Sequence, residues 1–201
     1  YLGKPALPAP NYNYPAPVDE PAFETQKITT DLLTLNERAY VLNGMGTGKT
    51  RTVYWAWDWL NQVGLAGKLL VVTPRSVQRS TWQAEALRTI TNRKAVVLYG
   101  KKTSNRPLRL ELLASDADVY IINHDGVGTI FNELMAKLDI DTLAIDELAT
   151  YRNGGTNRAK AMMKLAGRMK FTWGLTGSPM PQAPTDVWAQ CRIVTPKSTP
   201  K

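Results

Sequence analysis

Strand-length apolar runs recur along this chain, each followed by a longer stretch in which apolar residues return every three or four positions. The runs lie at 40–42, 68–73, 95–99, 119–123, 142–145 and 170–175. The run at 68–73 is apolar without alternation, as in a strand covered on both faces. The stretches at 28–35, 51–63, 77–87, 107–114, 127–138, 160–168 and 185–194 have the spacing and length of helices. Strand and helix taking turns in this way predict a three-layer α/β domain with a mainly parallel sheet. Residues 1–21 are rich in proline, show neither period and read as an extended arm. Residues 22–195 read as one domain, and 196–201 as the start of a linker.

The turns between these elements carry the chemistry. Gly44, Met45, Gly46, Thr47, Gly48, Lys49 and Thr50 fit the pattern of a glycine, four spacers, then Gly-Lys-Thr. A strand before it and a helix after it supply the context of a phosphate-binding loop. Glycines let successive backbone N–H groups turn towards a phosphate, and the helix start adds unpaired N–H groups. In that role Lys49 reaches the β- and γ-phosphates and the Thr50 hydroxyl holds Mg²⁺. About a hundred residues later the run at 142–145 delivers Asp146 and Glu147 together. Asp146 suits the coordination sphere of that Mg²⁺, and Glu147 suits polarising the attacking water. Strand alternation is expected to aim the two carboxylates differently. Upstream of the loop, Gln26 offers an amide that can read the N6/N7 edge of adenine, with Phe23 placed to pack on the base.

Other turns are less specific. Thr73, Arg75 and Ser76 follow the second run and are the kinds of group that hold phosphate oxygens, as also in an ordinary polar loop. Asn123, His124 and Asp125 end the fourth run. His124 has no second His or Cys at ligand spacing, so it reads as a loop position touching nucleic acid or as a plain surface histidine. Lys101, Lys102, Arg106 and Arg109 form a basic cluster, which as a rule is a solvated face, with a DNA contact as the alternative. Thr176, Gly177 and Ser178, before Pro179, supply hydroxyls and N–H groups at the end of the last run. Trp55, Trp57 and Trp59 read as core rather than as a base-stacking platform.

Lys and Arg total 25 against 17 Asp and Glu, a net charge of +8. That balance favours a polyanionic partner, nucleic acid first. A single cysteine, Cys191, excludes a disulfide framework and fits a reducing compartment. No run approaches a membrane span, so a membrane partner is not expected. The expected location is the cytoplasm of a bacterium or phage-infected cell, or the nucleus if the source is eukaryotic.

Taken in order, these segments resemble the N-terminal RecA-like lobe of a superfamily 2 helicase, most similar to Swi/Snf-type DNA translocases. Phe23 to Gln26 resembles the Q motif, Gly44 to Thr50 motif I, and residues 72–77 with Trp82 motif Ia. Residues 122–125 stand in place of motif Ib, Asp146–Glu147 is motif II, and 175–179 resembles motif III, with Asp186, Val187 and Trp188 behind it. The resemblance covers nearly all of 23–196. It departs in Ala149, where relatives usually carry a polar residue, and in Ser178, where Thr is common. The resemblance implies ATP and Mg²⁺ as cofactors, DNA rather than RNA as track, and a second RecA-like lobe beyond the linker. Thr73, Arg75 and Asn123 would then grip the nucleic-acid backbone, and Thr176 to Ser178 would couple the sites. An arginine finger on the second lobe is worth ~10³–10⁵ in turnover, so this lobe alone is expected to hydrolyse ATP slowly and not to translocate. Alternatives are the motor lobe of a packaging or restriction translocase, a nucleotide-gated binding module without useful turnover, and, further off, a small-molecule kinase.

Overall fold

The computed structural model describes residues 12–44, 46–99, 105–180 and 185–199. Among them six strands form one sheet: β1 (Arg38–Val41), β2 (Lys68–Thr73), β3 (Ala95–Val97), β4 (Val119–Asn123), β5 (Ile140–Ile145) and β6 (Phe171–Leu175). Their spatial order is β1-β6-β5-β2-β4-β3, and every neighbouring pair is parallel. Each apolar run of the sequence therefore becomes a strand.

Side-chain alternation splits the core into two layers. Leu69 and Val71 of β2 pack on one side with α1 (Glu24–Leu35), α2 (Lys49–Gln62) and α3 (Ala84–Thr89). Leu70 and Val72 pack on the other, where α4 (Arg106–Ala114), α5 (His124–Thr129), α6 (Phe131–Ala136), α7 (Asn157–Arg168) and α8 (Asp186–Val194) supply the cover. A sheet covered on both faces explains why the run at 68–73 shows no polar alternation.

Three elements differ from the expectation. The helix expected at 28–35 starts earlier, with Phe23 as its N-cap, because Gln26 Oε1 accepts a hydrogen bond from Phe23 N (3.0 Å) and closes the first turn. The stretch 77–87 is a 3₁₀ turn (Arg75–Val77), a wide π-type segment (Gln78–Gln83) and then α3. The stretch 127–138 is two helices, α5 and α6, broken at Ile130 (φ −132°, ψ 32°). Apolar spacing reports which face is buried and is blind to such local changes of pitch.

Ten consecutive residues of α2, from Arg51 to Leu60, are buried. The sheet covers one side of the helix, and the N-terminal arm covers another. Tyr12 and Tyr14 lie edge-on against Trp59 and Trp55, with centroids 6.0 and 5.3 Å apart. Trp55 Nε1 donates to the Pro15 carbonyl (2.9 Å), and the Tyr12 hydroxyl donates to Asp58 (3.0 Å). The tryptophans are core, as expected, and the described part of the arm is part of that core.

Candidate functional site

In a parallel sheet every strand points its carboxyl end to the same edge, so the turns singled out in the sequence meet there. The loop after β1 runs into α2 with Gly46 and Gly48 at φ +75° and +77°. Two features favour glycine at 48: its backbone is left-handed, and a Cβ would displace the Gln26 amide at Nε2. Lys49 Nζ donates to the carbonyls of Asn43 (2.9 Å) and Gly44 (2.7 Å), a pose that holds the ammonium across the loop. Thr47 Oγ1 also donates to Gly44 O (2.9 Å). Met45 lies outside the described residues.

A cleft of about 500 Å³ opens over this loop. Phe23, Gln26, Gly46, Gly48, Lys49 and Thr50 line it, and so does Asp146, just beyond the end of β5. The arm contributes Asp19, Glu20 and Pro21 to the same wall. Glu20 pairs with Arg51 (2.7 Å) and Arg88, and Glu85 pairs with Arg51 (2.5 Å). Hydrogen bonds from Arg51 and then Arg88 hold the Glu20 carboxyl below its ordinary range. Gln26, expected to read adenine, is 4 % exposed, and its amide is turned into the protein: Oε1 takes the Phe23 N–H, and Nε2 donates to Thr47 O (3.3 Å). Phe23 stays exposed beside it.

Register fixes the acidic end of the site. Val72 pairs with Ile145, and Asp146 N extends that ladder to Val72 O (2.8 Å). Thr73 and Asp146 are thereby neighbours, and Thr73 Oγ1 donates to Asp146 Oδ2 (2.9 Å). Trp82 Nε1 donates to the same oxygen (2.9 Å), and Glu147 N to Oδ1 (3.1 Å). Asp146 is thus oriented by three donors, two from distant segments and one from the next residue. Thr50 and Asp146 are hard oxygen ligands on one cleft, and no cluster of three His, Cys, Asp or Glu forms a protein-only cage among the described residues. That donor set suits Mg²⁺, which keeps waters and takes substrate phosphates with one or two protein ligands.

Two expectations need correction here. Asp146 and Glu147 lie beyond the last residue of β5, so alternation within the strand does not separate them. Glu147 is itself exposed and adopts a left-handed backbone (φ 49°, ψ 53°). Such a conformation costs roughly 1–2 kcal/mol for a residue with a Cβ and is found where a site requires it. Thr73 was expected on the nucleic-acid face but is fully buried, its hydroxyl committed to Asp146.

Beside the cleft, between the ends of β2 and β4, lies a second pocket of about 260 Å³. Arg75, Arg109, Asn123, Asp125 and Arg158 line it. Arg75 lies over the Tyr99 ring (5.1 Å) and donates to its hydroxyl (3.0 Å). His124 also borders this pocket but is 7 % exposed, not a surface histidine. It opens α5, and Nδ1 bonds the Tyr151 hydroxyl (3.0 Å). Burial pushes its pKa down to about 4, against the pull of Asp146. Arg109 left the sequence as a member of a surface cluster; it is 4 % exposed and reaches Asn123 Oδ1 (3.1 Å). Lys101 and Lys102 lie outside the described residues. After β6, which lies between β1 and β5 in the sheet, Thr176 is buried and its Oγ1 accepts the Ser178 N–H (3.2 Å), while Gly177 and Ser178 are exposed.

The structure thus adds Trp82, Arg109 and Arg158 to the residues the sequence offered. Trp82 carried a signal, its place after the second strand, but nothing in the chain says where its N–H points. Arg109 carried only its place in a basic cluster, and Arg158 carried none, since single arginines on helices usually face water.

The profile of the SNF2-related domain family matches residues 38–199. No curated protein sequence matches the chain. Among solved structures, the Sulfolobus solfataricus SWI2/SNF2 ATPase core in complex with dsDNA is similar, with a TM-score of 0.73 and 18 % identity. The likeness covers 91 % of this chain and 37 % of that one, so this chain spans little more than a third of the length of that relative.

Proposed function

This chain belongs to the SNF2-related domain family, and from that premise we propose that it is the ATP-binding lobe of a DNA translocase. The observation that carries the reading is Asp146, held by Thr73 and Trp82 on the cleft that Lys49 and Thr50 also line. Thr50 and Asp146 would hold Mg²⁺, which when bound supplies neutralisation of phosphate charge. The Gly46–Gly48 backbone and Lys49 bind the phosphates, with Lys49 exchanging its two loop carbonyls for phosphate oxygens. Glu147, exposed next to Asp146 on a left-handed backbone, orients the attacking water. Phe23 packs on the base, and Gln26 reads it only if its amide leaves Thr47 and Phe23.

In this reading a second RecA-like lobe, following the linker at 196–201, completes the site, and closure of the two lobes drives movement along DNA. Arg75 and Asn123 would face the track, with the buried His124 behind them, and 176–178 the second lobe. Backbone contacts carry little sequence information, so binding is expected to be sequence-tolerant and salt-sensitive. The cytoplasm, or the nucleus of a eukaryote, follows from the same proposal.

The test is ATP turnover by the protein joined to its second lobe, with duplex DNA, single-stranded DNA, RNA or no nucleic acid, and with Glu147→Gln beside the wild type. The expected result is stimulation by DNA, and a Glu147→Gln protein that binds ATP while losing turnover by at least a hundredfold. Nucleotide binding with no stimulation by any nucleic acid would overturn the motor reading and leave a nucleotide-gated binding module.

A further inference from the structure

One buried side chain of α8 ties the loop after β6 to β1. β1 ends the strand order next to β6, and the ladder between them runs on to Thr176 N, which donates to Val41 O (3.1 Å). Beyond Thr176 the loop has left the sheet, and Gln190, 0 % exposed, meets it there. Gln190 Nε2 donates to the Pro179 carbonyl (2.8 Å) and to the Asp186 carbonyl one turn back in α8 (2.7 Å). Its Oε1 accepts the Tyr40 hydroxyl of β1. Both amide protons are used on carbonyls, and a flipped amide would set oxygen against oxygen, so the chemistry fixes its orientation. Burial, then the neighbouring Cys191, raises the Tyr40 pKa and keeps that hydroxyl a donor. The segment after Asp146 does not hold the loop in this way. Among the described residues no hydrogen bond joins 146–151 to 176–179: Ala149 has no polar side chain, and the Tyr151 hydroxyl is bonded to His124. Packing brings them together instead. A Cβ at Gly174 would meet Leu148, Val194 and the Tyr40 ring, so the bare backbone lets the residue after Glu147 and the ring that bonds Gln190 close on one point of β6.

We propose that Gln190 is the positioning residue of the 176–178 segment, and that Tyr40 acts on that segment through Gln190. Loss of the amide leaves the Pro179 and Asp186 carbonyls and the Tyr40 hydroxyl without their partner, and buried polar groups are expensive to leave unpaired. The loop, exposed at Gly177 and Ser178, can recover its bonds from water by moving outward, whereas β1 and α8 are held by the core. Among the described residues that line the nucleotide cleft are neither Gln190 nor any of 176–179, so nucleotide affinity should not depend on this anchor. That the segment faces a second lobe and governs turnover rests on the function proposed above; its anchoring by Gln190 does not.

The test uses the protein joined to its second lobe, as wild type, Gln190→Met, Tyr40→Phe and the double variant. Methionine keeps the length of glutamine and removes all three bonds; phenylalanine leaves Gln190 in place and removes only the hydroxyl. In the first arm, amide hydrogen exchange is read by segment, with the Ser178 N–H, bonded to Thr176 Oγ1, as reporter. Gln190→Met should speed exchange at 176–178 about tenfold or more, with β2 and β5 unchanged. Tyr40→Phe should give a smaller rise at the same segment, and the double variant should exchange no faster than Gln190→Met. Exchange at 176–178 unchanged in the single variants, a rise spread evenly over the domain, or additive effects in the double variant would overturn the proposal. In the second arm, DNA-stimulated ATP turnover is set beside binding of a fluorescent ATP analogue. Gln190→Met should lower kcat about tenfold and leave analogue affinity within about twofold. An unchanged kcat, or affinity falling in step with it, also overturns the proposal. If the exchange arm succeeds while DNA does not stimulate even the wild type, the anchor stands and the translocase reading falls.

Discussion

Replacing Trp82 with Phe separates the metal-orienting role of its indole from its packing. Trp82 is 1 % exposed, its Nε1 donates to Asp146 Oδ2 at 2.9 Å, and its ring lies edge-on to Tyr54 with centroids 5.5 Å apart. Phe keeps much of the contact with Tyr54 but loses the donor. A hydrogen bond to a charged group is worth about 1.5–3 kcal/mol. The smaller ring gives up roughly 40 Å² of apolar burial, or about 1 kcal/mol. Together these take about 2–4 kcal/mol from a stability of order 5–15 kcal/mol, so the variant folds. The second consequence is local: Asp146 keeps only Thr73 on Oδ2. Loss of an outer partner of a metal ligand typically costs ~10–100-fold in metal affinity. The assay is fluorescent ATP-analogue binding titrated with Mg²⁺, beside urea unfolding. The Mg²⁺ midpoint should rise about tenfold or more. Tyr54→Phe is the control, since its hydroxyl bonds only the Trp82 carbonyl (2.8 Å) and does not touch Asp146. It should lose stability with no change in the Mg²⁺ midpoint. If Trp82→Phe behaves like Tyr54→Phe, the indole is packing alone and the orienting role is refuted.

Further outcomes follow from burial and charge. Trp55→Ala removes the fully buried ring that the arm packs on, and should cost about 3–5 kcal/mol in urea unfolding. His124, with its pKa held near 4 against 6.5 unfolded, makes the chain acid-sensitive. Above pH 6.5 both states are neutral there; between 6.5 and 4 only the unfolded state takes the proton, so stability falls as pH falls. At 1.36 kcal/mol per unit, this amounts to about 3 kcal/mol by pH 4. His124→Gln should lose that component of the pH dependence of unfolding, and an unchanged profile would sink the assignment.

Much of the site was legible because its chemistry is local. Gly44 to Thr50 act through consecutive backbone groups, so spacing alone describes the loop, and Asp146–Glu147 announce themselves as carboxylates after an apolar run. What failed was direction. Thr73 looked like a phosphate-loop hydroxyl because it ends a strand, but β2 sits between β5 and β4, and its register turns that hydroxyl to Asp146. His124 looked exposed because its neighbours are polar, yet Tyr151 closes over it from a segment 27 residues away. Trp82 read as a companion of the second strand and Arg109 as a member of a basic surface cluster, and each turned out to hold a polar partner supplied by a remote part of the sheet.

The sequence by itself determined the number of strands, their parallel arrangement, the phosphate loop and the membership of a nucleotide-driven family. These depend on periodicity and short-range spacing, which a chain carries in its order. The tertiary structure alone decided the strand order, and with it which side chains share a wall of the cleft. It decided that the described part of the arm packs against α2 and reaches the cleft, and that Thr73 and Trp82 converge on Asp146. The physical reason is that burial and hydrogen-bond direction are set by neighbours remote in sequence, and register, fixed to the single residue, chooses those neighbours.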